Sequence, residues 1–170
     1  MALFITIINM KRVLYFCAAL AVMLMVACEE KEETKDNIPP AIGGADSWVN
    51  PINCAVYRLG ETLHVRYELT DNVELGKYSI EVYNNFQPSN RAAAEVKCQH
   101  EPQTATVYPW AFVDNGTIPA GQTKYVLDKT YDIPTDRDEG DYCLKINVSD
   151  KAGKQSEKII EFKIKATLAQ

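Results

Sequence analysis

Between Gly140 and Gly153 the chain reads GDYCLKINVSDKAG, and the strict alternation in it leaves one regular option. Tyr142, Leu144, Ile146 and Val148 recur at every second position, which puts them on one face of a β-strand and Cys143, Lys145 and Asn147 on the other. A helix would scatter both sets around its axis. Asp150 to Gly153 then turns the chain, and Lys158 to Lys165 returns with Ile160, Phe162 and Ile164 as its apolar face. The two runs close as a hairpin.

The same period recurs upstream. Glu61 to Leu69 (ETLHVRYEL) sets Leu63, Val65, Tyr67 and Leu69 against His64, Arg66 and Glu68. After a turn at Asp71-Asn72, Tyr78, Ile80 and Val82 alternate with Lys77, Ser79 and Glu81 as far as Asn84-Asn85. Phe86 to Gln103 reads as a long polar loop, because its Arg91 to Glu95 patch is too short for an independent helix. Val107 to Val113 restores strand character and Gly116 to Gly121 breaks it. Lys124 to Ile133 brings Tyr125, Leu127, Tyr131 and Ile133, with a bulge expected near Lys129. An edge strand is expected between Ala41 and Trp48, behind Ile38-Pro39-Pro40, since proline is tolerated where its missing N–H faces outward. About seven short strands and no sustained helical period indicate an all-β chain, an immunoglobulin-like β-sandwich over residues 38–167. Tyr142 stands directly beside Cys143 rather than two residues before it, so an antibody-type buried inter-sheet disulfide is not expected.

The N-terminal stretch is built differently. Lys11-Arg12 precede an apolar run from Val13 to Ala27, which is too short for a permanent span of about 20 residues and reads as a removed signal peptide, residues 1–27. Leu24-Met25-Val26-Ala27 before Cys28 resembles the lipobox of bacterial lipoproteins, so Cys28 is the expected lipidated N-terminus, with an ordinary cleaved signal as the alternative. Several acyl chains there would anchor the chain to a membrane, since one alone binds only marginally. Met10 makes a normal signal start, with Met1 to Asn9 as an apolar prefix. Residues 28–37 form a charged tether, EEKEETKDN after the cysteine, that cannot pack. This acidic run resembles the signal that sends lipoproteins of one Gram-negative phylum to the outer face of the outer membrane; a plain spacer is the other reading. Either places the protein in the cell envelope.

The order DNVELGKYSIEVYNNF, PWAF, IPAG, DIP and GDYCLKINVSDKAGKQS resembles the bacterial lipoprotein family of domains of unknown function numbered 4625. The resemblance covers roughly Asn37 to Lys165 and implies an immunoglobulin-like fold on an exported lipoprotein, without an activity. It also implies a histidine-rich loop after Phe86 and a histidine after the tyrosine of the best strand. Gln87-Pro88-Ser89-Asn90 and Cys143 stand there instead, so a family metal role would not carry over intact.

Cys17 leaves with the signal and Cys28 takes lipid, so Cys54, Cys98 and Cys143 remain in an exported, disulfide-permissive domain. A Cys98–Cys143 bridge is expected, because a long loop leaving the second strand can fold over the outward face of Cys143; the other two pairings stay open. Cys98, His100 and Cys143, with Cys54 in reserve, form an alternative zinc-type set, since thiolate and imidazole suit that metal. In TDRDEGD, Asp136, Asp138, Glu139 and Asp141 lack the ligand order of a calcium loop and read as a solvated turn. With His64 and His100 the only histidines, and neither a nucleophile elbow nor a phosphate loop, no catalytic residue is expected. Cys98 and His100 are a conceivable nucleophile pair, but two residues apart on an extended segment they point the same way without necessarily hydrogen-bonding. A net charge of −5 without a basic cluster argues against nucleic acid. Trp48, Trp110, Tyr83 and Tyr108 could stack on a glycan, although aromatics in sandwiches more often fill the core; Trp48 is the one expected at the surface. The reading is a non-enzymatic binding or accessory module without cofactor, for a protein partner or glycan, through loops at one end of the sandwich. A metal-handling lipoprotein is the alternative.

Overall fold

Pairing of the alternating runs generates two sheets. The computed structural model describes residues 36–44, 48–87, 98–101, 103 and 107–166; the signal, Cys28 and the acidic run as far as Lys35 lie outside these. No helix among the described residues is long and apolar enough to cross a membrane. The strands are β1 (Ala41–Gly43), β2 (Ala55–Arg58), β3 (Thr62–Thr70), β4 (Leu75–Asn84), β5 (Phe112–Thr117), β6 (Lys124–Asp132), β7 (Gly140–Asp150) and β8 (Gln155–Lys165). One sheet has the order β1-β3-β6 and the other β2-β8-β7-β4-β5. The result is an immunoglobulin-like β-sandwich in which β2 runs parallel to β8 and the other pairs are antiparallel. The folded unit opens at Asp36, two residues ahead of the expected boundary.

The predicted inner faces meet. Leu63, Val65, Tyr67 and Leu69 from β3 pack with Ile80 and Val82 from β4, Leu144 and Ile146 from β7, and Phe162 and Ile164 from β8, all buried. Strand β7 bonds to β4 on one side and to β8 on the other along almost its whole length. This makes it the centre of the larger sheet.

Three expectations change. Eight strands form among the described residues rather than about seven, because Ala55–Arg58, too short to show alternation, joins the sheet beside β8. The strand placed at Val107 to Val113 begins instead at Phe112 and continues to Thr117, past Gly116. Gly116 fits there because the Tyr78 ring crosses its α-carbon, where an added Cβ would lie 2.2 Å from the ring. No bulge occurs near Lys129: β3 and β6 pair without interruption from Thr62↔Asp132 to Thr70↔Lys124. Lys129 belongs to the inward face between Leu127 and Tyr131, and its Nζ lies 3.9 Å from Asp114. An apparent slip is a lysine facing in near a sheet edge. The register shift falls instead between Leu75 and Lys77, where Gly76 passes close to the carbonyls of Ser149 and Asp150.

Tyr142 ties the core to the loops beyond the first residues of β7. Its ring packs edge-on to Phe86 and stacks with Phe162, while its hydroxyl donates to the Asp138 carbonyl (2.6 Å) and accepts from the Trp110 N–H (3.2 Å). Burial pushes the phenol up to about 12. Tyr142→Phe keeps the ring and leaves the buried Trp110 N–H without its acceptor, so we expect a loss of about 1–3 kcal/mol in urea unfolding. A loss within experimental error would show that these loops do not depend on the hydroxyl.

Candidate functional site

At the end of the larger sheet where β7 begins, its outer face is covered. Register places Cys143 between Tyr83 of β4 and Glu161 of β8, and Asp141 beside Lys163. Residues Cys98 to Glu101 lie across them: the Cys98 N–H donates to Glu161 Oε2 and the Glu101 N–H to Asp141 Oδ2, each at 2.8 Å. His100 fills the space between the carboxylates, with Nδ1 3.2 Å from Asp141 Oδ2 and Nε2 3.5 Å from Glu161 Oε2. Lys163 Nζ lies 3.2 Å from Asp141 Oδ1 and 3.1 Å from Glu101 Oε1, and Lys165 also bonds Glu101. Burial pulls the Lys163 ammonium down, yet Glu101 and Asp141 outweigh it and hold its pKa above the ordinary lysine value. Asp141 and Glu161 are buried, so this pairing is what makes their charge tolerable.

A disulfide fastens the segment. It joins Cys98 to Cys54 rather than to Cys143, which corrects the expected pairing. Residues 98–101 of the expected loop do lie over the face that bears Cys143, but their cysteine meets Cys54, just ahead of β2, a strand the alternation did not reveal. With its ends 44 positions apart in sequence, the bridge is worth about 4 kcal/mol in the chain-entropy model. Cys143 is a buried free thiol. Its pKa is pushed up to about 12, first by burial and further by Glu161 and Asp141, against a lowering by the Tyr83 hydroxyl.

Cys98, His100 and Cys143 therefore do gather in one place, with Cys98 held in a disulfide, which leaves it no thiolate to offer a metal, and Cys143 a buried thiol. His64 stands apart on β3 of the other sheet, 2.7 Å from Asp128. The signal for the missed partners was available, since alternation already put Glu161 and Lys163 outward opposite Cys143 and Asp141.

The acidic TDRDEGD run does more than meet solvent. Asp138 Oδ2 accepts the N–H groups of Val107 (2.9 Å) and Tyr108 (2.7 Å), and its own N–H donates to the Tyr108 carbonyl (3.1 Å). Arg137 covers the Tyr108 ring at 3.6 Å from its centre and pairs with Asp136. Held in this way, Val107 is 85% exposed and Tyr108 53% exposed. The other aromatics differ: Trp110 is buried as expected, whereas Trp48 is half-buried with Arg66 over it. The displayed ring is Tyr108, not Trp48.

Farther along the same outer face, Ser79, Asn115, Asn147, Ser149 and Gln155 line an open trough of about 530 Å³. Lys77, Tyr78 and Val148 also line it, so amides and hydroxyls lie beside apolar surface, with Asn147 Nδ2 donating to Ser79 Oγ (3.3 Å).

The family model for a domain of unknown function, DUF4625, matches residues 26–165. That range takes in every strand and reaches upstream to Val26, two residues before Cys28. No curated protein matches the chain.

We expect alkylation followed by peptide mapping to sort the cysteines of the sandwich. Native protein near pH 8 leaves Cys143 unlabelled; unfolding without reductant labels Cys143 but neither Cys54 nor Cys98, and reductant then adds both. Label on Cys98 in unfolded, unreduced protein would contradict the pairing.

Proposed function

The chain belongs to the DUF4625 family, and from that premise we propose that it is a lipid-anchored, non-enzymatic binding module of the cell envelope that recognises a protein partner through the Val107–Tyr108–Arg137 knuckle. The observation that carries this is the exposure of a valine and an arginine-backed tyrosine on a loop immobilised by three hydrogen bonds to one aspartate. Tyrosine and arginine are enriched among interface residues that dominate affinity, and a loop already held in place loses little freedom on binding. Position favours the same reading. Asp36 enters beside Asn72 and the last residue of β7, Asp150, while the knuckle lies beyond the first, Gly140, about 33 Å away along that strand. A chain anchored ahead of Asp36 would carry its binding loops at the opposite end.

The anchor is Cys28. Its support is the lipobox-like Leu24 to Cys28 and a family match that begins at Val26. Cys28→Ala is expected to move the protein from the membrane to the soluble fraction and to remove the acyl mass from the mature N-terminus. An unmodified N-terminal peptide in the wild type would refute the anchor.

A glycan is the second reading, favoured by the amide and hydroxyl trough around Asn147. The two separate by position. A photo-crosslinking residue at Val107 is expected to give a discrete protein adduct on intact cells, whereas the same residue at Val126, exposed on β6, gives none. Tyr108→Ala should weaken that capture by about 2 kcal/mol, ~30-fold. Loss of binding only with Asn147→Ala would instead support the glycan.

A further inference from the structure

At the opposite end from the knuckle, three carboxylates from separated parts of the sequence converge. Asp36 comes from the segment before β1, Asp71 from the turn after β3 and Asp150 from the end of β7, and one oxygen from each lies within 4.8 Å of the others. Each side chain is fixed through one oxygen. Asp36 Oδ1 accepts from the Ile38 N–H and Asn72 Nδ2 (3.1 Å each), Asp71 Oδ1 from the N–H groups of Val73 (2.9 Å) and Glu74 (2.8 Å), and Asp150 Oδ1 from the Lys154 N–H (2.7 Å). For Asp71 and Asp150 the second oxygen is left over. Asp150 is 5% exposed, and its Oδ2 and that of Asp71 are both buried without a hydrogen-bond partner. Among the described residues, none of the three forms an ion pair with lysine or arginine.

Carboxylates gathered this closely repel one another, and the buried oxygens of Asp71 and Asp150 that have no partner also lack the water that would otherwise solvate them. Something positive must join them. We infer that Asp36, Asp71 and Asp150 hold a calcium ion. Calcium takes hard oxygen ligands at about 2.3–2.6 Å, so two of its ligands can be no farther apart than about 4.6–5.2 Å, and the three oxygens meet that limit. The ion tolerates irregular geometry and completes its shell with carbonyls and water, which suits a site only partly walled by protein. The acidic run between Asp136 and Asp141 differs in kind: Asp136 is taken by Arg137, Asp138 by two backbone N–H groups, and Asp141 by Lys163 and His100. Calcium at Asp36 joins the incoming chain to the β3–β4 turn and the β7–β8 hairpin, and so fastens the point at which the sandwich is suspended.

The full-length protein, stripped with EGTA and titrated with calcium chloride, tests this. One calcium per chain should bind by calorimetry, and millimolar calcium should raise the melting temperature by roughly 5 °C, with a much smaller rise in equal magnesium. Asp150→Asn should weaken binding at least tenfold and remove the shift, and Asp138→Asn should leave calcium affinity unchanged. If Asp150→Asn does not fold, Asp36→Asn, outside every strand, gives the same readout. Absence of heat and of any melting shift at 10 mM calcium overturns the inference, as does binding unchanged in the Asp36 or Asp150 variant, or an equal response to magnesium.

Discussion

Strand β7 has to be satisfied on every side. Its edges bond to β4 and β8 and its apolar side chains fill the inter-sheet core, so only its outer face is left to be dealt with. Near Asp150 that face is an open surface of amides and hydroxyls, and near Gly140 it is roofed by the segment from Cys98 to Glu101. The roof explains why Cys143, on the outward side of the pleat, is as buried as its inward neighbours. Gly140 belongs to the same construction: it holds φ +138°, and a Cβ there would approach Phe86 at 2.6 Å and Gln103 at 2.7 Å.

The charged side chains beneath that roof, and His100 within it, are arranged by the cost of burying charge. Asp141 is met by Lys163, His100 and a backbone N–H, and Glu161 by His100 and another N–H, so neither carboxylate is left alone. Removing one member of such a group costs more than the group contributes as a whole, because its partner stays buried without compensation. The disulfide adds a covalent limit to how far the segment can lift. Electrostatics and covalent chemistry thus act on the same few residues, and the knuckle beyond them takes its rigidity from Asp138 and the Tyr142 hydroxyl.

Much of this was legible in the sequence because β-structure writes its inner face at every second residue. Leu63 to Leu69, Tyr78 to Val82, Tyr142 to Val148 and Ile160 to Ile164 are all buried as alternation requires. What escaped was decided by contacts between distant segments. Four residues at β2 carry too few positions to show a period, and without that strand Cys54 has no visible place beside Cys98. Lys129 broke the apolar pattern of β6 because it answers Asp114 across the sheet edge, which no local window reveals. Asp36, Asp71 and Asp150 are scattered along the chain and meet only once the sheets are stacked.

One edge of the larger sheet is β5, and Asp114 points inward from it, bonded by the Tyr131 hydroxyl at 2.7 Å. A neighbouring molecule that tried to add its own strand there would have to seal a carboxylate at the new junction, and it would meet Asn115 and Gly116, poor formers of extended structure. Crowded side by side, such molecules can therefore touch at this edge without zipping together along it.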